Sequence, residues 1–325
     1  MRLPLIEVAA AIVCRPDGRV LLAERTPGQT GAGCWELPGG KIEAGEEASQ
    51  AAARELAEEV GVVARSMRPA ALYEHVYRTR RVRTHFFRVE RWSGTPLGHE
   101  GQRLAWVDPA QPEVSPVLPS NERILRALGL PDLYADCRRP PGASMADRLM
   151  AVGDALAAGA RLLRVAGTGL TSDQRVCFAR RAQDEAARHG AQVLLDGEVA
   201  VVRRAALPGM HTCTQQLHRL LVRPAVRLWI ASCHDERDLA HAIHAGADAV
   251  VVSPVLAEDG ASRIPALGWD RLAALAALSN IPVYAQGGLP PEARATALAH
   301  GAIGIACPMP AQAVAKFHSA RRRSA

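Results

Sequence analysis

The stretch from Gly39 to Val62, GGKIEAGEEASQAAARELAEEVGV, constrains this chain more than any other. It fits the pattern G-x(5)-E-x(7)-R-E-U-x-E-E-x-G-U, in which U is an aliphatic residue and the first glycine is Gly40. A chance match at this many positions with fixed spacing is rare. The stretch therefore predicts a glycine loop that leads into an acidic helix with a chemical role.

The segment 49–60 contains no Gly or Pro and is rich in Ala, Glu and Leu, so it is predicted to be helical. Glu55, Glu58 and Glu59 are spaced i, i+3 and i+4, which places them on one side of that helix. Three carboxylates on one face repel one another, and a hard cation relieves that repulsion, so Mg2+ or Mn2+ is the expected cofactor. The alternative is a solvated acidic helix, in which the glycine loop and Arg54 would have no role. The apolar stripe that docks the helix on a core is predicted to be Ala52, Leu56 and Val60.

The size and charge of the chain set broad limits. At 325 residues it is long enough for two domains, and its 48% hydrophobic content is ample for packed cores. The formal net charge of +6 permits anionic ligands such as nucleotides. The arginines are spread along the chain, and their one run, at residues 321–323, predicts a solvated tail. No direct nucleic-acid binding is therefore expected.

Cysteine usage and hydropathy indicate the compartment. Seven cysteines without a C-x-x-C pair predict free thiols in a reducing, cytoplasmic location. Glu7 interrupts the N-terminal apolar run, which leads into a strand–turn–strand pattern, so this run is interpreted as a first strand and not as a signal peptide. No run approaches about 18 uncharged apolar residues, so no membrane span is expected.

Apolar segments and turn residues predict the order of elements in the first 130 residues. Strands are predicted at 6–13, 19–25, 70–77, 82–92 and 103–107, with a turn at 15–18. A second amphipathic helix is predicted at 121–128. This order favours a mixed sheet between helices, with the glutamate helix on one side.

The stretch from Gly39 to Val62 resembles the signature of the Nudix hydrolases. Four further segments resemble the MutT branch of that family: Gly39-Gly40-Lys41-Ile42-Glu43, Glu90-Arg91-Trp92, Glu100-Gly101-Gln102 and Asn121-Glu122. The resemblance covers residues 4 to 129. It implies an α/β/α sandwich with a mixed sheet. It also implies hydrolysis of oxidised purine nucleoside triphosphates, notably 8-oxo-dGTP, to the monophosphate and pyrophosphate, a reaction that sanitises the nucleotide pool for DNA replication and repair.

The same resemblance implies site residues. The metal ligands match Gly39, through its carbonyl, and the carboxylates of Glu55, Glu58, Glu59 and Glu100. The candidate catalytic residues are Glu55, Glu58, Glu100 and Arg54, with Arg54 expected to orient the glutamates through charge-assisted hydrogen bonds. A divalent ion neutralises the phosphates and activates a water whose proton a glutamate accepts. The general base is either Glu55 or Glu100.

Substrate-binding residues follow from the same match. Arg25 corresponds to an arginine that reaches the phosphates, Phe86 to an aromatic on which the base packs, and Asn121 to an asparagine that recognises the modified base. The loop that borders the nucleotide is Leu37, Pro38, Gly39 and Gly40. Simpler roles stay open: Arg25 as surface charge, Phe86 as core, Asn121 as a helix N-cap and Glu100 as a solvated loop residue.

The pattern changes after a proline-containing stretch, which predicts a first domain at 1–130, a linker at 131–142 and a second domain at 143–325. The first strand of that second domain starts at about residue 133. Eight apolar segments alternate with Ala-rich helices, at 133–136, 161–166, 192–196, 209–213, 228–232, 249–253, 283–286 and 303–307. Apolar runs without alternation are typical of buried parallel strands. The second domain is therefore predicted to be a (β/α)8 TIM barrel.

This second domain resembles the thiamine-phosphate synthase and TenI group. The likeness rests on three segments: HAGADAVVVSPV (244–255), IPVYAQGGLPPE (281–292) and HGAIGIAC (300–307). Gly287 and Gly288, at a strand end before a helix, are a predicted phosphate cradle for a thiamine-related phosphate ligand. His234 lies where such a protein can carry a working histidine, although a structural role fits as well.

Several synthase residues are missing from the matching positions. Only Arg164 remains of a Gln-x-Arg-x-Lys run, Asp196 remains of an Asn-Asp metal pair, and Gln216 replaces a second metal aspartate. The segment 256–261 lacks the expected lysine. The barrel is therefore expected to bind or sense a phosphorylated ligand, or to act as a scaffold. Its fusion also raises a rival function, a Nudix pyrophosphatase of thiamine metabolism.

Overall fold

The computed structural model describes residues 3–257 and 265–309. These residues divide into two compact units on either side of the Leu130–Pro131 bond, and each unit is described by itself. Two sequence features lie outside the described residues: most of the 256–261 loop in which a lysine is missing, and the arginine run at 321–323.

The first unit is built from two sheets and two helices. Its strands are β1 (Leu5–Val13), β2 (Val20–Glu24), β3 (Trp35–Glu36), β4 (Gly39–Lys41), β5 (Val63–Val76), β6 (Arg81–Ser93) and β7 (Leu104–Val107). One sheet has the order β4-β1-β6-β5, and the other has the order β3-β2-β7. The β1–β6 pair is parallel and the remaining pairs are antiparallel, so the predicted mixed sheet is confirmed, with a smaller antiparallel sheet beside it.

The helix α1 (Ala48–Val60) carries the glutamates and starts one residue before its predicted start. The Gln50 side chain accepts a hydrogen bond from the Glu47 N–H at 3.0 Å, which satisfies a donor at the start of the helix. Gly61 ends the helix in the left-handed conformation at φ +67°. The predicted apolar stripe is fully buried, and the helix packs on β1, β4, β5 and β6.

The helix α2 (Pro119–Leu128) begins two residues earlier than predicted. Pro119 is favoured at the first helical position because its fixed φ suits the helix and its missing N–H leaves no donor unsatisfied. Leu118 is the N-cap, and Asn121 is the third residue of the helix. The N-cap alternative for Asn121 is therefore wrong, and its buried side chain is available for a contact outside the helix.

The second unit is a closed barrel of parallel strands in the order β8-β9-β10-β11-β12-β13-β14-β15. The strands are β8 (Leu133–Asp136), β9 (Leu162–Ala166), β10 (Gln192–Asp196), β11 (Gly209–Thr212), β12 (Leu228–Cys233), β13 (Ala249–Val252), β14 (Val283–Gln286) and β15 (Gly304–Pro308). Each predicted segment lies within one residue of the observed strand, because parallel barrel strands are apolar on both faces.

The helices of the barrel follow its strands. They are α3 (Met145–Ala157), α4 (Ser172–Arg188), α5 (Val199–Arg204), α6 (Thr214–Leu217), α7 (Glu236–His244), α8 (Gly268–Leu278) and α9 (Arg294–Ala299). The segment 131–142 contributes β8, and the Tyr284 hydroxyl donates to the Pro131 carbonyl at 2.6 Å, so its first half belongs to the barrel and is not a free linker. Each helix that the structure describes falls short of the length and apolar character needed to cross a bilayer.

Candidate active site

Two glycines let the β4 backbone approach the glutamate helix. A Cβ on Gly40 would lie 2.1 Å from the Glu55 carboxylate, and a Cβ on Gly39 would lie 2.3 Å from the Ala9 carbonyl oxygen. The Gly39 N–H donates to the Glu59 carboxylate at 3.0 Å. At Gly39 a side chain would collide with the β1 backbone, whereas at Gly40 it would displace the Glu55 carboxylate. The glycines thereby let the loop bring the predicted ligands Gly39, Glu55 and Glu59 together.

Arg54 organises the acidic face of α1. Its Nε and Nη2 donate to the two Glu46 oxygens at 2.9 and 3.0 Å, and its Nη1 donates to Glu55 at 2.9 Å and Glu58 at 3.1 Å. The hydrogen bonds from Glu46 and Glu55 raise the pKa of this guanidinium. The contacts support the predicted orienting role for Arg54, and they explain why the motif requires a glutamate at position 46, for which sequence reasoning had no role.

Glu59 is the most perturbed carboxyl of this face. Burial raises its pKa to about 8, against the opposing hydrogen bond from the Gly39 N–H. The neighbouring charges of Glu36, Glu55 and Glu100 add to the rise. Glu36, whose pKa is also raised by burial, was missed from the sequence. Its position in the Trp35–Pro38 segment, next to the glycine loop, was the available signal.

The loop that carries Glu100 is tied to the end of α1. The His99 N–H and the Gln102 side-chain amide both donate to the Glu59 carbonyl at 2.9 Å. The Glu100 N–H in turn donates to the Gln102 side chain at 2.8 Å. Glu100 is exposed, yet its charge acts on Glu59, so the loop brings this distant carboxylate to the edge of the helix.

The donor set fits a hard divalent cation. Glu36, Glu55, Glu59 and Glu100 offer only oxygen atoms, which suit Mg2+ or Mn2+. Arg54 is paired with Glu46, Glu55 and Glu58, so the burial of Glu59 among like charges is left uncompensated. Across residues 3–257 and 265–309, no three His, Cys, Asp or Glu side chains are already close enough to form a metal centre. Metal binding would therefore move the carboxylates, and Glu58, whose side chain is 59% exposed, would reach the ion by rotating while Arg54 stays beside it.

Arg25 and Asn121 both contact the segment before the glycine loop. Arg25 forms an ion pair with Glu36 and donates from Nε to the Thr30 carbonyl at 2.7 Å. The Asn121 Oδ1 accepts from the Leu37 N–H at 3.0 Å, so α2 fixes the start of the predicted nucleotide-bordering loop. A phosphate role for Arg25 requires that it exchange Glu36 for the ligand, and the roles of both residues toward a nucleotide stay predictions.

Phe86 is a core residue in this structure. Its side chain is 1% exposed, and its ring centroid lies 5.8 Å from that of Tyr73 in a tilted arrangement. This is the simpler of its two expected roles, and packing against a base stays a prediction that needs the pocket to open.

The barrel has its own charged cluster at the carboxyl ends of its strands. Arg164 on β9 donates to Asp196 at the end of β10 at 2.5 Å, with 4% and 15% of the two side chains exposed. The Nε of Arg138 donates to the two Asp136 carboxylate oxygens at 2.8 and 3.0 Å. The Gln286 side-chain amide donates to the same carboxylate at 2.9 Å. Burial opposes the ionisation of Asp136, but Arg138 outweighs it and lowers its pKa. Each aspartate therefore has its own arginine.

A neutral polar chain lies deeper in the barrel. The Tyr134 hydroxyl is 3.1 Å from Nδ1 of His211, and Nε2 of His211 is 2.8 Å from the Ser232 hydroxyl. Burial lowers the pKa of His211 well below its ordinary value, and Arg164 and Arg138 add to this. His211 is thus a neutral, fully satisfied histidine, and its apolar sequence neighbours gave no signal for it.

The remaining barrel predictions fall on turns and caps. Gly287 and Gly288 have φ of +98° and +58°, and a Cβ on either would collide with the Pro254 or Ala257 backbone. Backbone conformation and packing are therefore sufficient to explain both glycines. Nδ1 of His234 is 2.5 Å from the Ser253 carbonyl. The Gln216 side chain accepts from the Cys213 N–H at 3.2 Å and caps α6. A phosphate cradle at the glycine pair stays a prediction.

Comparisons with known proteins match the two units separately. The model of the NUDIX domain matches residues 4–128, and the model of thiamine monophosphate synthase matches residues 139–308, which is more than half of the chain. An 8-oxo-dGTP diphosphatase from Haemophilus influenzae is 36% identical over 124 residues, covering 38% of this chain and 91% of the relative. A CTP pyrophosphohydrolase from Escherichia coli is 38% identical over 123 residues, covering 38% and 90%.

A relative of the barrel is also found. A Geobacter sulfurreducens protein, provisionally named a thiamine-phosphate synthase, is 31% identical over 164 residues, covering 49% of this chain and 77% of the relative. The chain therefore belongs through its first domain to the Nudix hydrolases, enzymes that act on phosphoanhydride bonds, and through its second domain to the thiamine monophosphate synthase family.

Proposed function

We propose that the first domain is a Mg2+-dependent diphosphatase that hydrolyses oxidised purine nucleoside triphosphates, such as 8-oxo-dGTP, to the monophosphate and pyrophosphate. The observation that carries this proposal is the carboxylate cluster at the glycine loop, where the Gly39 N–H donates to Glu59 at 3.0 Å and burial raises the pKa of Glu59 to about 8. Mg2+ would be held by the Gly39 carbonyl and by Glu55, Glu58, Glu59 and Glu100. The ion supplies neutralisation of the phosphate charge.

The residues of this chain supply the rest of the reaction. Arg54 holds Glu55 and Glu58 in place, and Glu55 or Glu100 accepts the proton of the attacking water. Binding a cation favours the ionised form of Glu59, which then becomes a ligand. The loop 37–40 positions the nucleotide, and Asn121 stabilises that loop from α2.

Two observations support an oxidised purine as the base of the substrate. One relative is an 8-oxo-dGTP diphosphatase, and the Asn121 side chain is buried beside the loop that borders the nucleotide. In this role the enzyme removes damaged nucleotides before they enter DNA. The free cysteines favour a reducing cytoplasm as its location. The CTP pyrophosphohydrolase relative supports a second candidate substrate, a pyrimidine triphosphate.

One substrate comparison tests these alternatives. The full chain with Mg2+ is assayed for pyrophosphate release from 8-oxo-dGTP, dGTP and CTP. With thiamine diphosphate the assay follows orthophosphate, because hydrolysis of its single phosphoanhydride bond gives thiamine monophosphate and orthophosphate. We expect kcat/KM for 8-oxo-dGTP to exceed that for dGTP by at least about tenfold, which corresponds to about 1.4 kcal/mol of transition-state discrimination. A higher kcat/KM for CTP, or for thiamine diphosphate, would replace the proposed substrate. A rate unchanged by a chelator would contradict the metal dependence.

The barrel is proposed to bind a thiamine-related phosphate without synthase activity. The support is that Arg164 and Asp196, which match synthase residues, neutralise each other. Thiazole phosphate and thiamine phosphate are titrated into the full chain by calorimetry, and the hydrolase assay is repeated with each. Heat with a changed hydrolase rate indicates regulation, and heat alone indicates a separate binding site. The absence of both leaves the barrel as a scaffold.

A further inference from the structure

The strands β5 and β6 and the turn between them, residues 63–93, form one long hairpin, here called the arginine hairpin. It contains eight arginines and two glutamates, so its formal charge is +6, equal to that of the whole chain. The arginines are Arg65, Arg68, Arg78, Arg80, Arg81, Arg83, Arg88 and Arg91. No residue of this group has a role in the proposed hydrolysis.

The fold neutralises only part of this charge. Glu74 is shared between Arg81 and Arg83 at 3.2 Å from each, and Glu90 pairs with Arg68 at 3.2 Å. Glu7 of β1 also contacts Arg83, at 3.0 Å. Among the residues that the structure describes, the other five arginines have no carboxylate within ion-pair distance: Arg65, Arg78, Arg80, Arg88 and Arg91.

The placement of these arginines opposes the stability of the sheet. In the β5–β6 register Arg68 lies directly opposite Arg88, and Arg91 lies opposite Ser66, next to Arg65. Like charges in facing cross-strand positions are destabilising. Of the five unpaired arginines, four are exposed, at 65, 78, 88 and 91. Within the hairpin Arg65 donates to the Ser93 hydroxyl at 3.1 Å and Arg91 donates to the Ser66 hydroxyl at 3.3 Å. These neutral acceptors do not cancel the positive charge, which an anion could do.

The length of the hairpin determines what kind of anion fits. The strand β5 has 14 residues, which at about 3.3 Å per residue spans about 45 Å. Arg65 and Arg91 lie near one end of this span, and Arg78 and Arg80 lie at the turn beyond the other. A nucleotide is much shorter than this, so a single small ligand engages only one end, whereas an extended polyanion engages both.

The side chains at the turn favour a nucleic acid over other polyanions. The His75 and Tyr77 rings have centroids 4.5 Å apart, and the Arg80 guanidinium lies 5.5 Å from the Tyr77 centroid. Aromatic rings beside cations are the usual platform for unpaired bases. All lysine-type or arginine-type cations of the hairpin are arginines. One planar guanidinium can donate to two oxygens of the same phosphate.

We propose that the arginine hairpin binds the phosphate backbone of single-stranded nucleic acid, with bases stacking at Tyr77. This revises the expectation from the sequence that no nucleic acid is bound. That expectation treated the arginines as evenly spread, whereas antiparallel pairing collects eight of them on one hairpin. The proposal is independent of the hydrolase activity, because it involves none of the residues at the glutamate helix.

The test is fluorescence anisotropy of a labelled 30-nucleotide single-stranded DNA with the full chain at 50 and 200 mM NaCl. We expect binding at low salt that weakens with salt, because each phosphate contact contributes about 0.7 to the slope of log K against log salt. The variant Arg78→Gln/Arg80→Gln is expected to weaken binding at 50 mM NaCl at least about fivefold and to lower the slope by about 1.4. The variant Arg65→Gln/Arg91→Gln, at the other end of the hairpin, should also weaken DNA binding and lower the salt slope.

The matched control is Arg181→Gln/Arg237→Gln, which removes the same charge from exposed positions outside the hairpin. Binding to DNA should change less than twofold in this variant. Hydrolase kinetics and thermal melting, measured on every variant, show that each is folded. Three results overturn the proposal: no DNA binding at 50 mM NaCl, equal losses in hairpin and control variants, or binding to vesicles with 30% phosphatidylserine and not to DNA.

Discussion

At the glutamate helix one arginine, Arg54, serves three carboxylates, whereas at the barrel mouth Asp136 and Asp196 each have an arginine of their own. At the first site burial raises the pKa of Glu59 to about 8, and the neighbouring charges of Glu36, Glu55 and Glu100 add to the rise. The second site is balanced, and the pKa of Asp136 falls below its ordinary value. Both sites use the same chemical groups, and only the number of partners differs.

This difference indicates which site depends on a ligand cation. A carboxylate buried without a positively charged partner tends to hold a proton or to recruit a cation. A carboxylate paired with its own guanidinium needs neither. The hydrolase site is thus suited to a metal, while in the barrel Asp196, which the resemblance matches to a metal ligand, forms an internal ion pair with Arg164.

The largest expected effect is on turnover at the charge-deficient site. Glu55→Gln and Glu59→Gln should each lower kcat by about a thousandfold, because each removes an anionic metal ligand and Glu55 is a candidate base. Circular dichroism should show an intact fold. Glu113→Gln, which alters an exposed carboxylate elsewhere, should stay within twofold of the wild type. Near wild-type rates for both glutamines would eliminate α1 as the metal helix.

The next effect is steric. Gly40→Ala places a methyl group 2.1 Å from the Glu55 carboxylate, which has to rotate away. Because the displaced group is the end of a flexible side chain, we expect kcat to fall about a hundredfold, on the scale of a lost catalytic group, with little change in melting temperature. Gly28→Ala meets no atom within 4 Å and is the matched control. Equal kinetics in the two alanine variants would show that the close approach is not required.

At the balanced site the effect is on stability. Arg164→Met leaves Asp196 buried and unpaired, which should destabilise the barrel by about 3 kcal/mol. Arg164→Met/Asp196→Leu removes both charges and should recover most of that loss. Hydrogen exchange of the β9 and β10 amides reports the change locally. If the single variant exchanged as slowly as the wild type, the ion pair would contribute nothing to the barrel.

The smallest effect is a pH dependence. The pKa of Glu59 is raised from 4.5 to about 8 in the fold, so the folded metal-free protein binds more protons than the unfolded chain between these values. The contribution of Glu59 to the free energy of unfolding is therefore fully present below pH 4.5 and is lost as the pH rises through 8. Mg2+ competes with that proton, so its affinity should rise by up to about tenfold per pH unit below 8.

Calorimetry of Mg2+ binding at pH 6, 7 and 8 measures this dependence. The Glu59→Gln variant has no titrating carboxyl at this position. Its affinity for Mg2+ should therefore be weaker than that of the wild type and should change less with pH. A wild-type affinity that did not change between pH 6 and 8 would show that Glu59 is already ionised and that its burial is compensated in another way.

Much of this organisation was predictable from the sequence, for identifiable reasons. The α1 stripe and the eight barrel strands were predicted because their periodicity and apolar runs are local properties of the chain. The helix α2 starts two residues before its predicted start because Pro119 is favoured in the first turn of a helix. The second, smaller sheet was not predicted, because the pairing of β2 with β7 joins residues about 80 positions apart.

By itself the sequence determined the acidic helix, the glycine loop beside it and the barrel class, since spacing along the chain specifies all three. How the charges are paired depends on the three-dimensional packing. It placed Glu36 near Glu59, gave Asp196 to Arg164, and collected eight arginines on one hairpin. These pairings depend on distances between residues far apart in the chain and on exclusion of water. The electrostatic character of both sites and of the arginine hairpin follows from the fold.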